Sequence, residues 1–82
     1  MQGYPNSNIK IKTSVLLFGK GWAAPLVLYF DDPKSVYEEI KANINSPQKR
    51  MLEYSPNGPI KQVCVLTSEI TGVALQEEQH LS

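Results

Sequence analysis

Gly19-Lys20-Gly21 is the first place in the chain where residue types could do chemistry, by cradling a phosphate on backbone N–H groups. The spacing excludes it. A phosphate-binding loop needs wider glycine spacing, a Lys-Ser/Thr end and a helix behind it, whereas strand-like sequence follows here. The acidic pairs Asp31-Asp32 and Glu38-Glu39 suggest a shared metal or proton. Adjacent residues on a helix point apart, however, and aspartates before a proline suit a helix cap. His80 has no cysteine or histidine partner for a metal, and no positioned neighbour to make it a general base. Cys64 lies inside an apolar run and reads as a small buried hydrophobe rather than a reactive thiol. No serine–histidine–acid set is suggested. The expectation is a protein that is not an enzyme, with no catalytic residues, no cofactor and no metal.

Two binding chemistries are left. Lys10, Lys12, Lys49, Arg50 and Lys61, with Tyr54, could form a basic aromatic strip for nucleic acid. Sheets that hold single-stranded RNA use aromatic platforms beside cations. The usual platform motif is absent, and edge-strand lysines also serve to block aggregation. Trp22, beside Lys20 in a turn, either anchors a partner or folds back onto the sheet.

The 82 residues make one domain whose core is marginal at this size. Acidic and basic residues number eight each, so no net field draws the chain to nucleic acid or an anionic membrane. One cysteine in so small a chain favours a reducing, cytoplasmic setting. Val15 to Phe30 is the most apolar stretch, but Lys20 and Pro25 interrupt it and it is shorter than the ~20 residues of a spanning helix. No signal peptide is visible, and residues 1–8 read as a flexible polar leader.

The elements follow from periodicity. Asn8 to Phe18 alternates: Ile9, Ile11, Thr13, Val15 and Leu17 on one face, Lys10, Lys12, Ser14, Leu16 and Phe18 on the other. Gly19 to Ala24 is a reversal, and Pro25 opens a strand with Leu26, Leu28 and Phe30 on one face and Val27 and Tyr29 on the other. Asp31-Asp32-Pro33 then starts a helix with the apolar stripe Val36, Tyr37, Ile40 and Ile44. Pro47 ends it near Asn45. Gln48 to Tyr54 and Ile60 to Thr67 read as strands around the turn Ser55-Pro56-Asn57-Gly58-Pro59. Val63-Cys64-Val65-Leu66 does not alternate, which predicts burial on both faces. Ile70 to Gln76 reads as a weaker fifth strand, and residues 77–82 as a polar tail outside a domain of residues 9–76. The expected fold is α+β, order ββαβββ: an antiparallel sheet of four to five strands with one helix packed on one face.

One helix covers one face of a sheet. Leu16, Phe18, Val27 and Tyr29 then lie on the other, joined by Cys64 or Val65. Fully burying four such side chains is worth ~6–12 kcal/mol, at ~1.5–3 kcal/mol each, and monomers rarely leave such a patch in water. The face pairs with a second copy, binds another protein, or is covered by leader and tail. The reading favoured is a non-enzymatic interaction module, a homodimer through this face or an edge strand, with Trp22 and Lys20 as secondary contacts. Nucleic-acid binding by the lysine-rich strand ends and a small-ligand pocket between helix and sheet are the alternatives.

Lys61-Gln62-Val63-Cys64-Val65-Leu66-Thr67-Ser68-Glu69-Ile70-Thr71-Gly72-Val73 resembles the C-terminal strand block of a small cyanobacterial protein family with no assigned function. Pro25-Leu26, Val36-Tyr37 and Pro47-Gln48 before Met51-Leu52-Glu53 are similar in order upstream, and the likeness spans roughly Ile11 to Gln76. The run Val27-Leu28-Tyr29-Phe30 and the tip Lys20-Gly21-Trp22 are more apolar than that family's pattern. The resemblance implies a soluble protein of a photosynthetic bacterium and carries over no catalytic or ligand residues.

Overall fold

Five strands and one helix follow each other in the order ββαβββ, so the fold is α+β. The structure, a computed structural model, describes residues 9–81, without the side chains of Ile9, His80 and Leu81. The expected leader and the side-chain readings of Ile9 and His80 lie outside the described residues. The elements are β1 (Ile9–Gly19), β2 (Leu26–Tyr29), α1 (Pro33–Ile44), β3 (Met51–Tyr54), β4 (Val63–Leu66) and β5 (Ile70–Leu81), with a 3-10 turn at Thr67–Glu69. The strands are shared between two antiparallel ladders: a three-stranded sheet in the order β2-β1-β5, and a β3-β4 ribbon.

Register places the side chains as period two requires. Val15 sits opposite Leu28 and Leu75, and Leu17 opposite Leu26 and Val73. Helix α1 lies over this face of β1 and β5. Val15, Leu17, Leu28 and Ile40 have no exposed surface, and Val36, Ile44, Leu52, Tyr54 and Val63 pack against them. The ribbon joins the helix layer. The Tyr54 ring meets Phe30 edge-on at 5.6 Å, and its hydroxyl donates to the Glu39 carboxylate at 2.5 Å. Partial burial and this bond push the Tyr54 phenol well above its ordinary value.

Local chemistry starts and stops the helix. Asp32 is the cap, accepting from the Ser35 N–H at 3.2 Å and the Ser35 hydroxyl at 2.7 Å, with Pro33 in the first turn. Asp31 instead accepts from the Asn57 amide at 2.9 Å. Glu38 pairs with Lys41 at 3.2 Å. The helix closes on Asn45, whose N–H bonds the Lys41 carbonyl at 3.2 Å.

Three expectations need correction. Residues 77–81 are not a loose tail: β5 runs on to Leu81, pairing with β1 as far as Ile9. Glutamate and glutamine are poor strand formers, but a partner strand outweighs that propensity. Strand β3 begins only at Met51, because Arg50 is already tied to Thr67: its N–H bonds the Thr67 hydroxyl at 2.9 Å, and its carbonyl accepts the Thr67 N–H at 2.8 Å. Cys64 is exposed, on the outer face of the ribbon opposite Glu53, and Val65 is buried on the inner face. A two-stranded ribbon packs through one face, so β4 is not covered on both, and neither residue joins the back of the larger sheet.

Ile40→Ala should cost about 2–5 kcal/mol in urea unfolding, a large part of a typical ~5–15 kcal/mol. A loss below about 1 kcal/mol would remove the helix from the core described here. The Ser35 hydroxyl, and then its N–H, hold the Asp32 carboxyl below 3.8. Its stabilising effect is therefore present above 3.8 and lost as pH falls through the lower folded value. The melting-temperature gap between wild type and Asp32→Ala should shrink over that acid range.

Candidate functional site: the back of the three-stranded sheet

The face of the sheet turned away from α1 divides into an apolar half and a polar half. Leu16 stands between Val27 on β2 and Ala74 on β5, and Phe18 stands opposite Gly72. The Phe18 ring lies over Gly72, where an added Cβ would sit 3.8 Å from Cδ2. Leu16, Val27 and Ala74 are half-buried, and Phe18 keeps 38% of its surface exposed. Further along the same face come Ser14, Gln76, Lys12 and Glu78. Ser14 is fully buried, its hydroxyl within 3.4 Å of the Gln76 carbonyl and 3.3 Å of the Glu78 carboxylate.

Tyr29 marks the boundary. The Lys12 ammonium lies 4.0 Å from its ring centroid, a cation–π contact on the polar side. Gly58 approaches the ring from the loop after β3, with φ at +88°, where an added Cβ would be strained and would crowd Cδ2 at 3.2 Å. The same loop ties the end of β2, since the Asn57 N–H bonds the Tyr29 carbonyl at 2.7 Å.

The β1–β2 turn borders the apolar half. The Trp22 N–H bonds the Gly19 carbonyl at 3.2 Å and the indole folds back over Gly19. With Phe18, Ala23, Ala24 and Pro25 it lines an open depression of about 260 Å³. Trp22 is thus both packed and 38% exposed, and Lys20 is exposed beside it. The space between helix and sheet, where a ligand pocket was one expectation, is filled by the four fully buried side chains named above.

The register therefore gathers Leu16, Phe18, Val27 and Tyr29 on one face, with Lys20 and Trp22 in the adjoining turn. The basic set is dispersed. Lys10 and Lys12 are on the back of the sheet, whereas Lys49 and Arg50 precede β3 and Lys61 precedes β4, at opposite ends of a ribbon on the helix side. Ala74 and Gly72 were missed as members of the face, although alternation along β5 signals them. Met51, 66% exposed, and Leu66 form a second apolar pair on the ribbon's outer face. Among the described residues no helix is long and apolar enough to cross a membrane. Compared with protein-family models, curated proteins and solved structures, the chain matches none.

A side chain at residue 19 would occupy the space of the indole, its Cβ 2.2 Å from the ring. Gly19→Ala should therefore drive Trp22 off the strand and shift its fluorescence to the red, with little change in the far-UV circular dichroism. An unchanged emission maximum would contradict the packed indole.

Proposed function

We propose that this chain is a non-enzymatic protein-interaction module that self-associates through the back of its three-stranded sheet. One observation carries the reading: Leu16, Phe18, Val27 and Ala74 lie side by side on a face that no described element covers. Strand β5 continues in the plane of the sheet and does not fold over that face. The scattered basic residues and balanced charge make nucleic acid the poorer partner. The resemblance to a cyanobacterial family and a cytoplasmic setting belong to the same proposal and rest on sequence alone.

The strength of the contact is bounded. Leu16, Phe18 and Val27 are already more than half covered, so burying the remainder adds roughly a third of their full value, ~1.5–3 kcal/mol per copy. Two copies gain ~3–6 kcal/mol against an association cost of ~4–15 kcal/mol. The back face by itself supports a weak contact that depends on concentration.

Phe18→Asp places a carboxylate in the middle of the patch without touching the buried core. It should halve the assembly mass seen in sedimentation at high protein concentration and leave the circular dichroism unchanged. A folded variant that keeps the wild-type mass would sink this reading.

A further inference from the structure

The outer edge of β5 is open among the described residues. Strand order β2-β1-β5 leaves β5 at the end of the sheet, and no described strand pairs with its outer side. The opposite edge, on β2, is short, and its end is tied where the Asn57 N–H bonds the Tyr29 carbonyl. Natural edges are usually blunted by charged side chains, lysine above all, by proline or by short length, and the charges on β5 are confined to Glu77 and Glu78 among its described side chains. Strand β5 has twelve residues and neither lysine nor proline among them.

The direction of its backbone groups can be worked out. In an antiparallel ladder a residue's N–H and C=O point to the same side, and successive residues alternate. The Tyr29 carbonyl points away from β1, to Asn57. Tyr29 and Ser14 are therefore a pair without mutual hydrogen bonds, and the groups of Ser14 point to β5, at Gln76. It follows that Ala74, Gln76 and Glu78 bond inward, while Val73, Leu75, Glu77 and Gln79 present N–H and C=O to the open side. Leu75, among these outward-bonding residues, is the large apolar side chain of β5 left 39% exposed.

We infer that β5 pairs antiparallel with β5 of a second copy about a two-fold axis at Leu75, joining two sheets into one of six strands. That register sets Leu75 against Leu75 of the second copy and Val73 against Glu77 of the second copy, and covers the exposed leucine. An axis at Gln76 would set Leu75 against glutamate, and an axis at Glu77 would set two carboxylates together. The outward groups are self-complementary, as an isologous contact requires. This contact does not rest on the back-face reading. It supplies backbone hydrogen bonds where burial on that face barely offsets the cost of association.

Amide hydrogen exchange reads the contact directly. At millimolar protein the N–H groups of Val73, Leu75, Glu77 and Gln79 should be protected alongside those of Ala74, Gln76 and Glu78. On dilution the outward four should lose protection while the inward three keep it. Free exchange of the outward four at every concentration overturns the inference. Glu77→Pro deletes an outward N–H and spares the inner ladder; Leu75→Lys sets two ammonium groups on the axis without altering the backbone. Either variant, folded, should halve the assembly mass. A wild-type mass for Leu75→Lys overturns the inference even if Glu77→Pro fails to fold. Phe18→Asp should leave the outward four protected, so the two contacts fail separately.

Discussion

The pairing of β1 with β5 is the constraint on which the rest of the molecule depends. It runs from Ile9 opposite Leu81 to Phe18 opposite Gly72, the longest ladder in the structure. It makes β1 the central strand and gives α1 two adjacent strands to lie on. Val15 and Leu17 are fully buried because β2 and β5 flank them on both sides. Beyond Ser14, where β2 ends, the same ladder continues as a two-stranded arm in which Ile11 remains 62% exposed.

The second layer divides the remaining work. Helix α1 covers β1 and β5, and the β3-β4 ribbon packs in beside it through Leu52, Tyr54 and Val63. Polar ties hold the ribbon in place: Tyr54 to Glu39, Asn57 to Asp31 and Tyr29, and Arg50 to Thr67. Both helix and ribbon lie on one side of the sheet. No described helix or strand lies over its back, so the described residues have a packed face and a face of half-buried apolar side chains.

Features governed by neighbouring residues were legible in the sequence. Asp32-Pro33 and Asn45 bound the helix because capping is local chemistry. Period two put Leu16, Phe18, Val27 and Tyr29 together because alternation needs no knowledge of pairing. What was not legible depended on distant partners. Residues 77–81 look like a tail until β1 is seen beside them. Cys64 looks buried until β4 is seen in a two-stranded ribbon. Register likewise scatters Lys49, Arg50 and Lys61 away from Lys10 and Lys12.

A ribosome delivers β1 long before it delivers β5, so the central strand emerges with one of its two neighbours still unmade. Until residues 70–81 follow, Val15, Leu17 and Leu28 belong to a hairpin that lacks one of the strands flanking β1. Such distant closure is slow compared with local helix formation, taking roughly milliseconds to seconds in sheet-rich domains. During that interval the nascent chain exposes the apolar side chains of Val15 and Leu17 that β5 later flanks.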